Sequence, residues 1–484
     1  MCVASVTHFL FGFLEGKIIK MNDFLRMILN RLGDAIPLAI MAVVLCAIGI
    51  GVSYLLFKKK YKDTRKFPFA KIFLWLALAG YIAIVLVATV LRGAGLRGSN
   101  FHLFRAWREA WNIMSFKNWA NVLLNIAMFV PLGILLPWIH KLFRKWYVML
   151  GSGFACSLAI EIFQAITGRG LFDVDDLFAN TLGAIFGYGL YMALRSVFVK
   201  AERKAIRISV YAAIPLVITL AISSIFVVYA VKDYGNLQNA AIYKVSTRGT
   251  EWETNVALSE EKQTVSIYKA MTFNTKTCDE FGKAFLDGRT TRELDICYYD
   301  QETYYLDHSE HSLFVSHLDR SYEYEYHPNE GKREPAEADR ATIEALLGEY
   351  GITIPETAVF TYEGDGWHRF DVSMENKEGD TVGGTLRCRY SSEGFIYVIH
   401  NNLVSFTYSA DEQIISEAEA FEQMKRGNFW GGVYEMLSPK NVTVLSCELE
   451  YQVDTKGYYQ PVYMFKVMYD GVADEMRIMI PALD

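Results

Sequence analysis

The sequence predicts an α-helical polytopic membrane domain of about six spans, followed by a water-exposed α+β domain with antiparallel sheets. Three observations carry this. Six long apolar runs lie in the first 231 residues, the charge balance reverses after them, and strand-like alternation begins only beyond that point.

The runs fall near residues 35–57, 70–91, 119–138, 146–166, 175–197 and 208–231. Each supplies the roughly 20 apolar residues that a helix needs to cross the hydrocarbon of a bilayer. The third and fourth are joined by HKLFRK, short enough to make a helical hairpin. Residues 1–34 form a separate N-terminal segment. Its opening, MCVASVTHFLFGFLEG, has neither a basic leading region nor a clear cleavage site, so it reads as an interfacial helix or as a mis-assigned start with translation beginning at Met21.

Residues 1–231 hold 25 Lys/Arg against 10 Asp/Glu, whereas residues 232–484 hold 23 against 44. A basic apolar half joined to an acidic polar half is the pattern of a membrane domain (35–231) with an aqueous domain (232–484). Orientation follows from the basic loops. KKKYKDTRK, HKLFRK and the cluster Arg195, Lys200, Arg203, Lys204 and Arg207 all fall on one side if the spans alternate. That side is expected to be cytoplasmic. Loops 92–118 and 167–174 and residues 232–484 are then outside, although loop 92–118 carries five basic residues against Glu109 alone.

Against this apolar background, EIFQAITGRGLFDVDDLFAN (161–180) carries four carboxylates, an arginine, a glutamine and an asparagine. Glu161 and Gln164 share one face of the fourth span, Asp176 and Asn180 one face of the fifth, and Asn121 and Asn125 one face of the third. Each pair lies within two turns of the outer surface. A carboxylate facing lipid costs a few kcal/mol, so such groups turn inward and find partners. The expected arrangement is a pocket open to the outside, with Arg169 pairing Glu161 or one of Asp173, Asp175 and Asp176. In a purely structural role the aspartates would cap the fifth span, the asparagines would be interhelical hydrogen bonds, and Gly183 and Gly187 would be close-packing positions.

The ordered set NVLLNIAMFVPLG, SLAIEIFQ, GR and FDVDDLFANTLGAIFGY resembles the VanZ-like membrane protein family over roughly residues 70–195. The resemblance implies a multi-span protein of the bacterial cell surface, in a family associated with resistance to the lipoglycopeptide teicoplanin. By position, the motif residues are Asn121, Asn125, Pro131, Gly133, Glu161, Gln164, Arg169, Asp173, Asp175, Asp176, Asn180 and Gly183. A sixth span and a large outer domain extend beyond the segment that bears the resemblance.

Three chemistries compete for the cluster. It could bind a cell-wall precursor, a lipid head group or a glycopeptide, with carboxylates on amines and Arg169 on an anion. It could serve a membrane hydrolase of a lipid-linked envelope substrate, with Glu161 and an aspartate as acid and base. It could hold a divalent cation through oxygen ligands, although D-x-D-D lacks the spacing of a calcium loop. Binding is the favoured reading, with no metal and no cofactor expected. The rival is a membrane-anchored sensor whose outer domain binds a protein partner. The acidity of that domain disfavours nucleic acid.

In the outer domain, strand-like runs include TVSIYKAMTF, HSLFVSHL, AVFTYEGDGWHRFDVSME, GTLRCRYSSEGFIYVIH and NVTVLSCELEYQVD. EADRATIEALLGEYG predicts a helix ending at Gly351. SEAEAFEQMKRG predicts one opened by a Ser416–Glu419 capping box and stopped by Gly427. Asp454–Gly457 predicts a hairpin turn. A helix followed by a strand meander, twice over, suggests two related subdomains, about 232–400 and 401–484; the later unit loosely resembles PepSY-type modules of Gram-positive surface proteins. His308, His311 and His317 fit no zinc spacing and read as surface residues. Trp367 and His368 read as strand packing. Cys278, Cys297, Cys388 and Cys447 permit two disulfides or four free thiols.

Overall fold

The computed structural model describes residues 36–61, 68–90, 98–200, 203–298, 302–307, 310–327, 333–374, 377, 379, 381–472 and 474–483. The chain divides into two compact units. One comprises Met1–Leu103 and Asn121–Val227, the other Phe104–Ala120 and Val228–Asp484.

The first unit is helical. Its elements are α1 (Ile36–Tyr61), α2 (Phe69–Val90) and β1 (Ser99–Asn100). After α3 (Arg105–Ile113), which belongs to the second unit, come α4 (Phe116–Ile139), α5 (Trp146–Thr167), β2 (Phe172–Asp173), α6 (Val174–Phe198) and α7 (Lys204–Val231). Among the described residues, five helices within α2 and α4–α7 are long and apolar enough to cross a membrane. The 26-residue α1 occupies the place of the first expected span. Side chains such as Trp75, Ile166, Leu194, Phe198 and Val217 are exposed on these helices, as lipid-facing residues must be. Leu78, Phe129, Leu132, Met149, Ala184, Tyr188 and Met192 form the buried interior. Two hydroxyls tie helices together: Tyr81 donates to the Met128 carbonyl at 3.0 Å and Tyr188 to that of Arg144 at 2.8 Å.

Small residues let α4 and α6 touch backbone to backbone. A Cβ on Gly183 would lie 1.9 Å from the Ile126 carbonyl oxygen, one on Gly187 2.1 Å from that of Val130, and one on Gly133 2.1 Å from that of Ala184. With lipid as apolar as leucine, such close packing supplies much of the association between helices.

The second unit is built on thirteen strands among the described residues. In chain order it holds β3 (Glu251–Thr254), β4 (Thr264–Ala270), α8 (Thr275–Leu286), β5 (Asp295–Tyr298), β6 (Glu302–Leu306), β7 (His311–Ser316) and β8 (Tyr322–Tyr326). Then come α9 (Arg340–Glu349), β9 (Val359–Gly364), β10 (Trp367–Val372), β11 (Thr381–Tyr390) and β12 (Ile396–Gln413). Last are α10 (Glu417–Lys425), α11 (Gly432–Leu437), β13 (Asn441–Val453), β14 (Tyr458–Tyr469) and β15 (Met476–Pro481). The strand order β3-β13-β14-β4-β12-β8-β7-β6-β5 is antiparallel except where β3 joins β13, with β9–β11 paired beside β12 and β15 beside β14.

Among the described residues three buried clusters lie along this sheet, the third made of Tyr268, Ala270, Val404, Phe406 and Tyr459. The first gathers residues from Cys278 to Ile399; the second combines Val245 with residues from Ile414 to Ala482. The 18-residue β12 supplies Ile396 and Ile399 to the first core and Val404 and Phe406 to the third, pairing β8 and β11 in its first half and β4 in its second. Residue 400, the expected dividing point, lies inside this strand, and the opening of the domain packs with its end.

Local signals act as the sequence predicts. Ser416 and Glu419 cap α10 reciprocally. Gly427 ends it at φ 79°, where a Cβ would meet the Val245 carbonyl oxygen at 2.0 Å. Asp339 caps α9, and Gly351 follows it at φ 72°. Asp454–Gly457 turns β13 into β14. The helix α8 was not expected. Its apolar face is short, but Asn274 and Thr277 form a capping box. The cysteines at 278, 297, 388 and 447 are free thiols; burial pushes Cys278 up to about 11 and Cys388 to about 12.

His368 is fully buried on β10. Its Nε2 accepts from the Ala338 N–H at 3.1 Å, which leaves Nδ1 to donate to the Gly366 carbonyl at 3.0 Å. Burial holds its pKa below the ordinary 6.5, although both backbone contacts push upward. His311 is lowered by burial in the same way. Neutral histidines in the fold and protonated ones in the unfolded chain give stability that is complete above about pH 6.5 and lost as pH falls below it. Thermal unfolding of this domain followed from pH 7.5 to 5 should show that loss, and His368→Phe should flatten the slope. A slope unchanged by the substitution would refute the assignment.

Candidate ligand-binding site in the membrane unit

The polar stretch folds into a connected cluster where α5 turns back into α6. Gly168, in the left-handed conformation, caps α5, and the N–H groups of Gly168 and Arg169 both reach the Gln164 carbonyl. The chain then pairs with the loop before α3. Asn100 lies beside Asp173 in a two-residue parallel bridge, and Phe172 N–H donates to the Gly98 carbonyl at 3.3 Å.

Asp173 is the N-cap of α6, accepting the Asp175 N–H at 2.8 Å. It also accepts Asn100 Nδ2 at 3.0 Å. Glu161 is buried, at 1% exposure, and its Oε2 accepts the Asp173 N–H at 2.8 Å. Both carboxylates thus sit at the positive end of α6, where free N–H groups and the helix dipole favour negative charge. This is how a carboxylate about 9 Å below the end of α5 is tolerated.

One layer deeper, Asn125 on α4 donates Nδ2 to Asp176 Oδ1 in a short hydrogen bond. Asn180 on α6 donates Nδ2 to Ser157 Oγ on α5 at 3.0 Å, and Ser157 Oγ lies 3.5 Å from the Asp176 carbonyl oxygen. Asn180 and Ser157 are 2% and 0% exposed, and Asn180 Oδ1 has no hydrogen-bond partner. A buried acceptor left unpaired costs about 1–3 kcal/mol. Each such group in a native fold calls for an explanation, and a ligand that donates to it is one.

The structure therefore brings together Asn125, Glu161, Asp173, Asp175, Asp176 and Asn180. Asp175 is buried at 2% exposure, and Gln164 is buried beside the group at 6%. Asn121 and Arg169 are exposed, Asn121 on α4 and Arg169 in the turn after α5. Glu161 Oε2 accepts the Asp173 N–H, which leaves acceptor positions on the carboxylate for a second donor such as the expected Arg169. Asn100 and Ser157 were not anticipated. Ser157 stands four residues before Glu161, a helical spacing that puts both on one face. Asn100 gave no signal beyond lying in a loop between apolar runs. Among the described residues, no three His, Cys, Asp or Glu side chains are grouped to hold a metal ion. Of the three histidines, His308 lies outside the described residues, His311 contacts the Tyr324 hydroxyl at 2.8 Å, and His317 contacts Thr303 Oγ1 at 2.8 Å.

Residues 72–195 match the family model described as VanZ/LLP1, the segment that holds every residue of the cluster, Asn100 included. No curated protein matches the chain. Among solved structures, the chain is similar to the Bacillus megaterium YpeB C-terminal domain at 13% identity, covering 44% of this chain and 95% of that one with a TM-score of 0.16.

Proposed function

We propose that this chain, VanZ-like over residues 72–195, is a cell-envelope protein whose membrane unit binds a polar ligand from the outside, between α4, α5 and α6. The unpaired Oδ1 of buried Asn180 carries this reading, because it asks for a ligand N–H or O–H. Its surroundings narrow the class. Four carboxylates and one arginine lie within residues 161–180, so an amine or sugar hydroxyl is favoured over a phosphate. Amino sugars of cell-wall precursors and the amines and sugars of a lipoglycopeptide both fit, which is where teicoplanin resistance enters.

The test is teicoplanin tolerance conferred on a susceptible Gram-positive host. Tolerance should fall to the empty-vector level in Asn180→Ala and Glu161→Gln, with the proteins still in the membrane. Undiminished tolerance in both would overturn the proposal. If the wild-type chain confers none, the drug reading falls and an envelope precursor is left as the ligand.

The outward orientation is drawn from the basic loops; two hydrogen bonds within the second unit bear on which segments share a side. Asn236 Nδ2 donates to the Trp111 carbonyl at 2.6 Å, and Asn112 Nδ2 to that of Ala240 at 3.1 Å. The loop before α4 and the segment after α7 are therefore on the same side of the bilayer, as alternating helices require. The HKLFRK turn at the opposite ends of α4 and α5 displays Trp138, Trp146 and Tyr147, all exposed, as expected of an interface anchored by aromatic and basic residues. Cys297 is an exposed free thiol in the second unit. A membrane-impermeant maleimide should label it in intact cells; labelling only after lysis would place this domain inside.

A further inference from the structure

Three lysines of the second unit converge where the last span ends. Lys232 is the first residue after α7, Lys456 sits in the β13–β14 turn and Lys269 on β4. They are linked through neutral oxygens. Lys269 Nζ donates to the Lys456 carbonyl, Lys456 Nζ to the Lys232 carbonyl, and Lys232 Nζ to Asn236 Oδ1 at 2.7 Å. None of the three makes an ion pair among the described residues. The carboxylate nearest the group, Asp454, is buried and already accepts four N–H donors. Asp233 is the other carboxylate whose charge reaches Lys456. Three cations are thus held together in a domain whose overall balance is strongly acidic.

Aromatic rings fix the depth of the cluster. Lys456 Nζ lies 5.0 Å from the Tyr229 ring centre, Lys232 Nζ 5.6 Å from that of Trp111, and Lys269 Nζ 3.8 Å from that of Tyr458. Tyr229 is in the final turn of α7, two residues from its end, which is about 3 Å along the axis. Its hydroxyl donates to Thr455 Oγ1 at 3.0 Å, and its ring meets Trp111 edge-on at 6.0 Å. Trp and Tyr at the end of a span mark the level of the lipid head groups, so the turn bearing Lys456 stands at that level.

We propose that Lys232, Lys269 and Lys456 form a binding site for the phosphate of an anionic phospholipid in the bilayer that α7 crosses. Each ammonium has donors left after its bond to a neutral oxygen, and a phosphodiester supplies the charge that the protein does not. Burial lowers the pKa of all three, an effect Asp454 opposes; an anion would offset it further. This site is separate from the VanZ-like cluster and independent of what that cluster binds.

The test uses the full chain in nanodiscs of phosphatidylcholine, with or without phosphatidylglycerol, and reads amine acylation at each lysine by mass spectrometry. Phosphatidylglycerol should slow acylation of Lys232, Lys269 and Lys456 several-fold and leave exposed Lys440 unchanged. Inorganic phosphate added to phosphatidylcholine discs should have no effect. Lys456→Gln should restore fast acylation at Lys269, and Lys456→Arg should not. Equal rates in the two lipids, equal protection by free phosphate, or protection of Lys269 surviving Lys456→Gln would each overturn the proposal.

Discussion

Gly183→Ala should destabilise the membrane unit by about 3 kcal/mol or more, and Gly187→Ala by a similar amount. The new methyl would lie 1.9 Å or 2.1 Å from a backbone carbonyl oxygen of α4. Backbone cannot swing aside as a side chain does, so the two helices must separate along their whole contact. That separation also pulls Asn125 on α4 from Asp176 on α6. Gly151 is the internal control: it lies on α5 with nothing within 4 Å of its Cβ position. Gly151→Ala should leave stability unchanged or raise it slightly through helix propensity. Thermal unfolding in detergent, read by size-exclusion chromatography, distinguishes them. Equal midpoints for the Gly183 and Gly151 variants would show that α4 and α6 are not in backbone contact.

Asp454→Ala should cost the second unit several kcal/mol, at about 1–3 kcal/mol for each buried donor left unsatisfied. Its carboxylate is fully buried and accepts from Gly235 N–H and Gln460 Nε2 at 2.6 Å each, Lys456 N–H at 2.7 Å and Tyr458 N–H at 3.0 Å. Truncation strands donors that water cannot easily reach. It also loosens the attachment of the chain after α7 to the turn between β13 and β14. Asp454→Asn keeps the shape but turns one oxygen into a donor among donors, so it should recover only part of the loss. A midpoint within a degree or two of the wild type for Asp454→Ala would refute this account.

Much of the fold was legible because its causes are local or compositional. A run of twenty apolar residues has few soluble alternatives, so the places of the spans followed from hydropathy. Capping boxes, a stopping glycine and a D-x-x-G turn each act within a few residues, and α9, α10 and the β13–β14 hairpin formed where those signals stood. α8 was missed because its apolar stripe is short and its helicity depends on packing against Tyr305, whose ring lies 2.3 Å from where a Cβ on Gly282 would be. The candidate site divides in the same way. Spacing along each helix placed Glu161, Asp176, Asn180 and Asn125 on usable faces. It could not show that Asn100 comes from a distant loop, or that the Glu161 carboxylate meets a backbone N–H.

The sequence by itself determined that this chain spans a membrane, where the helices lie and which short polar stretch interrupts them, because hydrophobic length and charge are properties of contiguous residues. Only the tertiary structure decided which polar atoms are satisfied. The unpaired Asn180 oxygen, the four donors on Asp454 and the three lysines gathered at the end of α7 all depend on groups far apart in the chain, and hydrogen bonds are made or missed within a few tenths of an ångström.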